Sequence, residues 1–337
     1  MDEKNPLWDA PALLELSGGY WRSFALHAGT ELDIFTALEK EGMTAGELSG
    51  KLRLSGRGTE ALLNALSAMG LLSREGGKFR DTESAARYLS RNSACYLGYM
   101  IRHHHYISKS WAELPGCVRS GAPARNPLAE GRSAEELEAF EMGMFNNASL
   151  VAPRVAEAIG LSGRNSLLDL GGGPGTYAIH FCLKNPGLKA EVFDLPQVRP
   201  FAEKTIKDFG LEGRISFVEG DFNKDPLPES FDAVWLSHVL HGEGPAAAAL
   251  VVKKAASVLN RGGIMLIHEF ILDDGKDSPV HPALFSLNML VGTREGKAYS
   301  REELTGFMKD ASISGINYVD SAPLPHSRIL AGTKEGR

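Results

Sequence analysis

One stretch, Asp169-Leu170-Gly171-Gly172-Gly173-Pro174-Gly175, constrains this chain more than any other. It closes an apolar run of strand length, 166–170, and opens a helical stretch near 177–184. Glycines let a backbone turn sharply and let a ligand approach it. The helix N-terminus beyond offers free N–H groups. The same rhythm continues downstream. Apolar runs at 190–194, 215–218, 231–236 and 264–270, with weaker ones near 316–319 and 328–331, alternate with helical stretches near 198–209, 246–259 and 301–309. Ser300 with Glu303 forms a capping box for the last of these helices. Continuous apolar strands between helices predict an α/β fold with a doubly wound, mostly parallel sheet.

Spacing narrows what the glycine loop can hold. A dinucleotide fingerprint places a third glycine where this chain has Thr176, and the Gly-Lys-Ser/Thr of a P-loop is absent. Asp169 stands two residues before the first glycine. An acid there repels a pyrophosphate and suits a positively charged ligand without phosphate. Asp194 ends the second run, where a carboxylate can take both hydroxyls of a ribose. Asp221-Phe222 follows the third run. That aspartate can accept from an adenine amino group and the phenylalanine can cover the ring face. Singly, each acid reads better as a solvated strand end. Together, in this order, they describe an adenosine site without phosphate.

The first hundred residues read differently. Leu32, Ile34, Phe35 and Leu38 lie near helical spacing, and Thr44 with Glu47 caps a short helix through Leu48 and Leu52. Gly56 and Gly58 punctuate the chain before a second amphipathic helix carrying Leu62, Leu63, Leu66 and Met69, which Gly70 ends. Two short strands then flank Gly76-Gly77. Helix, helix, hairpin is a winged-helix order, a shape that often binds DNA. Residues 1–100 carry 11 Lys/Arg against 13 Asp/Glu, a net of −2, and the whole chain is at −6. That balance favours a packing or dimerisation module over a nucleic-acid reader. Residues 109–135, with Pro115, Gly116, Gly121, Pro123, Pro127 and Gly131, read as a loop-rich connection, followed by a helix over 134–159 that breaks near Pro153. The expected domains are therefore 1–108 and 109–337. Three scattered cysteines, Cys95, Cys117 and Cys182, without a CxxC pair fit a reducing cytoplasm. The charged start MDEKNPLWDA is no secretory signal, and no apolar run of about 18 residues would span a membrane.

The Asp169–Gly175 loop, Val192-Phe193-Asp194-Leu195-Pro196, Gly220-Asp221-Phe222 and Val239-Leu240-His241 resemble the S-adenosylmethionine-dependent O-methyltransferases of the caffeate and hydroxyindole type, with bacterial relatives. The resemblance runs over nearly the whole chain. It implies a seven-stranded class I methyltransferase (Rossmann-like) sheet preceded by a mainly helical winged-helix domain that forms a homodimer. It implies S-adenosyl-L-methionine as cofactor, contacted by Asp169, Gly171, Gly173, Asp194, Leu195, Asp221, Phe222 and Ser237. His241, after the fourth strand, takes the place of the family's base, and Glu269 that of its partner. A phenol, with a pKa of about 10, keeps its proton at neutral pH, and a histidine within reach can take it. Met142, Phe145, Asn146, His238 and Met289 match acceptor-pocket positions, although plain core packing explains any one of them nearly as well. His238, His241 and Glu243 could suggest a metal, but no second cluster has ligand spacing, and none is expected.

The chain also departs from the family. His-Gly-Glu replaces the usual His-Asp-Trp at 241–243, and Ala298 stands where a second glutamate is common. The leading expectation is methyl transfer to a hydroxyl of a small aromatic molecule, with no nucleic-acid or membrane partner. Transfer to carbon or nitrogen of an aromatic or macrocyclic acceptor is the alternative within enzymes. A DNA-binding regulator that senses a small molecule is the alternative outside them. A cofactor kept as a structural element for demethylation or hydroxylation is a further one.

Overall fold

A computed structural model of the chain describes residues 8–124, 133–320 and 324–335. Pro127 and Gly131 of the expected connection, and most of the charged start, lie outside these residues. The chain divides into two compact units. The first holds the described residues up to Ser108 together with Ala134–Asn146, and the second holds the rest. The division is thus no single cut after residue 108: the stretch 134–146 goes with the N-terminal unit.

The first unit opens with α1 (Ala10–Gly18), α2 (Tyr20–Glu31) and α3 (Ile34–Leu38). Next come α4 (Ala45–Leu52) and α5 (Gly56–Ala68), the hairpin of β1 (Leu72–Glu75) and β2 (Lys78–Asp81), then α6 (Glu83–Leu89) and α7 (Gly98–Trp111). Thr44 and Glu47 close their capping box on α4. Gly56 and Gly58 do not precede α5 but lie in its first turn, because the Ser55 hydroxyl caps the helix there. Ile34, Phe35, Leu48, Leu63, Leu66 and Phe79 make the core of the helix–helix–hairpin. The helix over Ala134–Ser149 (α9) belongs mostly to this unit.

In the second unit a helix, α8 (Leu114–Ser120), occupies part of the stretch expected to be loop. Pro115 sits in its first turn, where a missing N–H costs nothing, and Gly121 ends it at φ +69°. After α10 (Ala152–Ala158), with Pro153 in its first turn, the sheet begins. Its strands are β3 (Ser166–Leu170), β4 (Lys189–Asp194), β5 (Ile215–Glu219), β6 (Phe231–Ser237), β7 (Leu259–Glu269), β8 (Ile313–Tyr318) and β9 (Arg328–Lys334). They are ordered 5-4-3-6-7-9-8. Strands β3 to β7 pair in parallel, and β9 is antiparallel to both β7 and β8. The seven expected runs are these seven strands.

Helices α11 (Thr176–Lys184), α12 (Arg199–Asp208), α13 (Pro245–Ser257), α14 (Val280–Gly292) and α15 (Arg301–Asp310) complete the unit. On α13, Ala248, Val251, Val252, Ala255 and Ala256 are buried at helical spacing, and they pack with Leu168, Val234, Met265 and Ile267 of the sheet. The strand order reverses between β3 and β6. In open α/β sheets that point opens a crevice at the carboxyl ends of the strands, and the singled-out acids and histidines of the second unit stand there.

Candidate active site

The end of β3 carries the glycine loop. Gly171, Gly173 and Gly175 have φ of 67°, 55° and 76°, a left-handed conformation that favours glycine. At Gly171 a Cβ would also stand 2.6 Å from a Val239 methyl. The loop is therefore a bare-backbone cradle. Asp194, at the end of β4, holds it from the side. Its Oδ2 accepts from the Gly173 N–H and its Oδ1 from the Leu195 N–H, both at 2.7 Å. Burial raises the Asp194 pKa, against those two bonds. A carboxylate has about four acceptor positions, so two remain for a ligand. Asp169 lies beneath the loop, only 1% exposed. One of its oxygens accepts from the Ala178 N–H at 3.2 Å, and the other is buried without a partner. Burial, with Asp194 adding to it and the Ala178 bond opposing, pushes its pKa up to about 7. A bare cradle with an orphaned acceptor beneath it and spare carboxylate lone pairs beside it fits a polar cationic ligand such as S-adenosylmethionine.

Asp221 is partly exposed. Burial works to raise its pKa, but Lys224 at 2.8 Å and the Asn223 N–H at 2.9 Å win and lower it. Phe222 packs at the edge of the core, and a Cβ on Gly171 would lie 3.6 Å from its ring. Ser237 is engaged elsewhere. Its hydroxyl shares a 2.9 Å bond with His268 Nδ1 and is bonded to the Tyr177 hydroxyl as well. His268 is buried, and its Nε2 is 2.7 Å from Ser327 Oγ. Burial, then the neighbouring His238, hold its pKa well below the ordinary histidine value.

Past β6 the chain turns through His238, at φ +56°, into a short 3-10 turn, Leu240–Gly242, that presents His241. Glu269 at the end of β7 grips this turn twice. Its Oε1 accepts from the His241 N–H at 3.2 Å, and its Oε2 lies 2.7 Å from His241 Nδ1. Glu269 is 2% exposed. Burial alone would raise its pKa, yet the imidazoles of His241 and His238 hold the carboxyl well below the usual range. An ionised Glu269 keeps the proton of His241 on Nδ1 and leaves Nε2 as the acceptor, which is the form a base needs. His238 Nδ1 is 3.7 Å from the same Oε2, too long for a hydrogen bond, and is buried without one. Its ring, that of His241 and Glu269 bring one ligand-capable atom each within 4.8 Å of one another. Glu243, the acid considered with them from the sequence, instead accepts from the Asn223 amide at 2.9 Å.

Two rings that the sequence did not single out complete the surroundings. Phe285 on α14 meets His241 edge-on at 4.7 Å, and Phe270 packs against His238 at 4.4 Å and Phe285 at 4.5 Å. Gly296 is a further one. A Cβ there would stand 2.5 Å from the His241 carbonyl oxygen, so the bare backbone supports the His241 turn. Ala298 is buried, and its N–H donates to Ser286 Oγ at 3.2 Å. The expected pocket residues divide between the units. His238 and the buried Met289 belong to the second. Met142, Phe145 and Asn146 lie on α9 in the first, where the Asn146 amide donates to the Tyr96 carbonyl.

A seven-stranded 5-4-3-6-7-9-8 sheet, a phosphate-free glycine cradle and a carboxylate-held histidine across the crevice define a class I, S-adenosylmethionine-dependent methyltransferase. Comparison with known proteins narrows this. The family described as the O-methyltransferase domain matches residues 121–314, and the O-methyltransferase dimerisation domain matches residues 14–91. The chain is 36% identical to a 3-hydroxy-5-methyl-1-naphthoate 3-O-methyltransferase of Streptomyces sahachiroi, over 98% of this chain and 97% of that one. It is 31% identical to the tetracenomycin polyketide synthesis 8-O-methyl transferase TcmO of Streptomyces glaucescens, over 90% and 91%. Human N-acetylserotonin methyltransferase, solved in complex with S-adenosylmethionine, superposes with a TM-score of 0.87 at 28% identity, covering 98% of this chain and all of that one (100%). The chain belongs to the O-methyltransferase family and is an S-adenosylmethionine-dependent O-methyltransferase acting on a small aromatic molecule. No helix among the described residues is long and apolar enough to cross a membrane.

Proposed function

We propose that His241 is the general base for methylation of a ring hydroxyl on a flat, fused-ring acceptor, and that Glu269 orients it. The observation that carries this reading is the two-point grip of Glu269 on His241, through both the backbone N–H and Nδ1. The cofactor, when bound, supplies an electrophilic sulfonium methyl. His241 Nε2 takes the phenolic proton as the oxygen attacks, and the imidazolium so formed is stabilised by the ionised, buried Glu269 beneath it. Phe270 and Phe285 favour a flat ring beside the base, and the naphthoate and tetracenomycin relatives support fused rings. Asp194 and the glycine cradle hold the cofactor, with Asp169 below and Asp221 and Phe222 at its adenine end.

We place the enzyme in the cytoplasm, where three free cysteines are stable. We also take it to be a homodimer through its first helices. Leu14 is 74% and Trp21 71% exposed, α1 buries no residue at all, and this face continues through Leu13, Leu16, Tyr20 and Phe24. So much contiguous apolar surface marks a protein contact.

The test is His241→Ala. Methyl transfer should fall by about 100-fold or more, while S-adenosylhomocysteine still binds in calorimetry. Unchanged turnover would remove His241 from the mechanism.

A further inference from the structure

Two histidines of the second unit take no part in the chemistry above, yet they are set beside it. His281, in the first turn of α14, and His326, in the segment before β9, stack face to face, with centroids 4.3 Å apart and planes 17° from parallel. Ser327, the neighbour of His326, is tied to the buried His268 at 2.7 Å, which fixes that segment. His281 lies 4.9 Å from the Phe270 ring. The same ring stacks on His241 at 6.2 Å and 27°. A single phenyl ring thus neighbours both the base and one imidazole of the pair.

Among the described residues the pair has no carboxylate at ion-pair distance. Neither imidazole has a hydrogen-bond partner among the described residues. Burial lowers the His281 pKa, and its two influential charged neighbours, His326 and His238, lower it further, with no carboxylate acting against them. His238 adds a buried, unpartnered Nδ1 nearby. Glu269 is committed to His241. The exposed imidazoles of His281 and His326 thus offer N–H donors beside Phe270 that no acid among the described residues engages, whereas His238 faces Glu269 at 3.7 Å. Such a group is complementary to an anion, and a charge-assisted bond to a carboxylate is stronger than a neutral one.

We propose that His281 and His326 recognise a carboxylate on the aromatic acceptor, at the ring edge remote from the hydroxyl that His241 deprotonates. This assignment rests on the function proposed above and deepens it. The acceptor class is then a hydroxylated aromatic acid, lying along Phe270 with its two functional groups at opposite ends.

The enzyme loaded with S-adenosylhomocysteine is titrated calorimetrically with 6-hydroxy-2-naphthoate and with its methyl ester. These probes share the ring and hydroxyl and differ at the far ring edge, where the ester's methyl replaces the charge. The wild type should bind the acid about tenfold or more tighter than the ester. In His281→Phe and His326→Phe a ring stays in the stack and the N–H donors are lost, so the acid-to-ester ratio should drop toward one. A wild-type ratio near one, or a preference that survives both substitutions, overturns the proposal, while binding of the ester still supports an aromatic acceptor. If neither probe binds, the fused-ring acceptor proposed above falls and takes this proposal with it.

Discussion

The chemistry of single residues is most concentrated at Glu269. It is buried, yet its carboxyl is held ionised by His241 and His238. A buried charge persists only when it is paired and hydrogen-bonded. Glu269→Gln keeps the shape and one acceptor but removes the charge that stabilises a protonated His241. Turnover should drop by about 100-fold or more, with the acceptor KM little changed. A stopped-flow or steady-state comparison giving the same kcat for both proteins would show that Glu269 merely packs. A carboxyl depressed in the folded state stabilises the fold above its unfolded value, near pH 4, and loses that contribution as the pH falls below it. The acid limb of the wild-type melting curve should therefore be steeper than that of Glu269→Gln.

At the scale of elements, the support of the His241 turn is the sensitive point. Gly296→Ala would drive a methyl group toward the carbonyl oxygens of His241, at 2.5 Å, and Gly242, at 2.9 Å. Backbone atoms yield poorly, so the turn must shift. About a tenfold loss in kcat is expected, since small misplacements of a catalytic group are costly, with S-adenosylhomocysteine affinity preserved. Equal kcat would mean the turn can adapt. The elements also show where sequence reasoning works. Strands β3 to β7 were legible because parallel strands covered on both faces read as unbroken apolar runs. The capping boxes at Thr44 and Ser300 were legible because their side chains act locally. Helix α14 was missed because VHPALFSLNMLVG is apolar nearly all round and carries Pro282, so it has no polar face to reveal its period. Helix α8 was hidden by Pro115 and Gly121, which here start and stop a helix rather than mark a loop. The pairing of His241 with Glu269 was available only through family likeness. No local pattern links Phe285, His281 and His326 to His238, because the fold alone assembles them.

Across the whole molecule, two carboxyls work against the fold as the pH rises. Asp81, in β2 of the first unit, has two buried oxygens without partners, and burial followed by Glu39 pushes its pKa up to about 7. Asp169 in the second unit is pushed to about 7 as well. Each holds a proton in the folded state that the unfolded chain releases near pH 4, so stability declines as the pH rises from about 4 to about 7. Cofactor-free Asp81→Asn and Asp169→Asn should each flatten that decline in thermal melts taken from pH 5 to pH 8. Parallel curves for wild type and variants would refute the assignment. Assembly offers a second test. Trp21→Glu places a charge in the exposed apolar face of α1 and α2 and should convert a dimer to a monomer in light scattering, whereas an unaltered mass would move the contact elsewhere. Because 134–146 belongs to the first unit while 109–124 belongs to the second, the first unit lacks its own last helix until residue 146 has been made. On the ribosome it closes only after part of its neighbour's chain has been made, although still ahead of its neighbour's sheet. A nascent chain released at residue 108 would keep its core of helices and hairpin but leave bare the face of α7 on which α9 rests, where Phe140 meets His103 and Gly143 meets Met100.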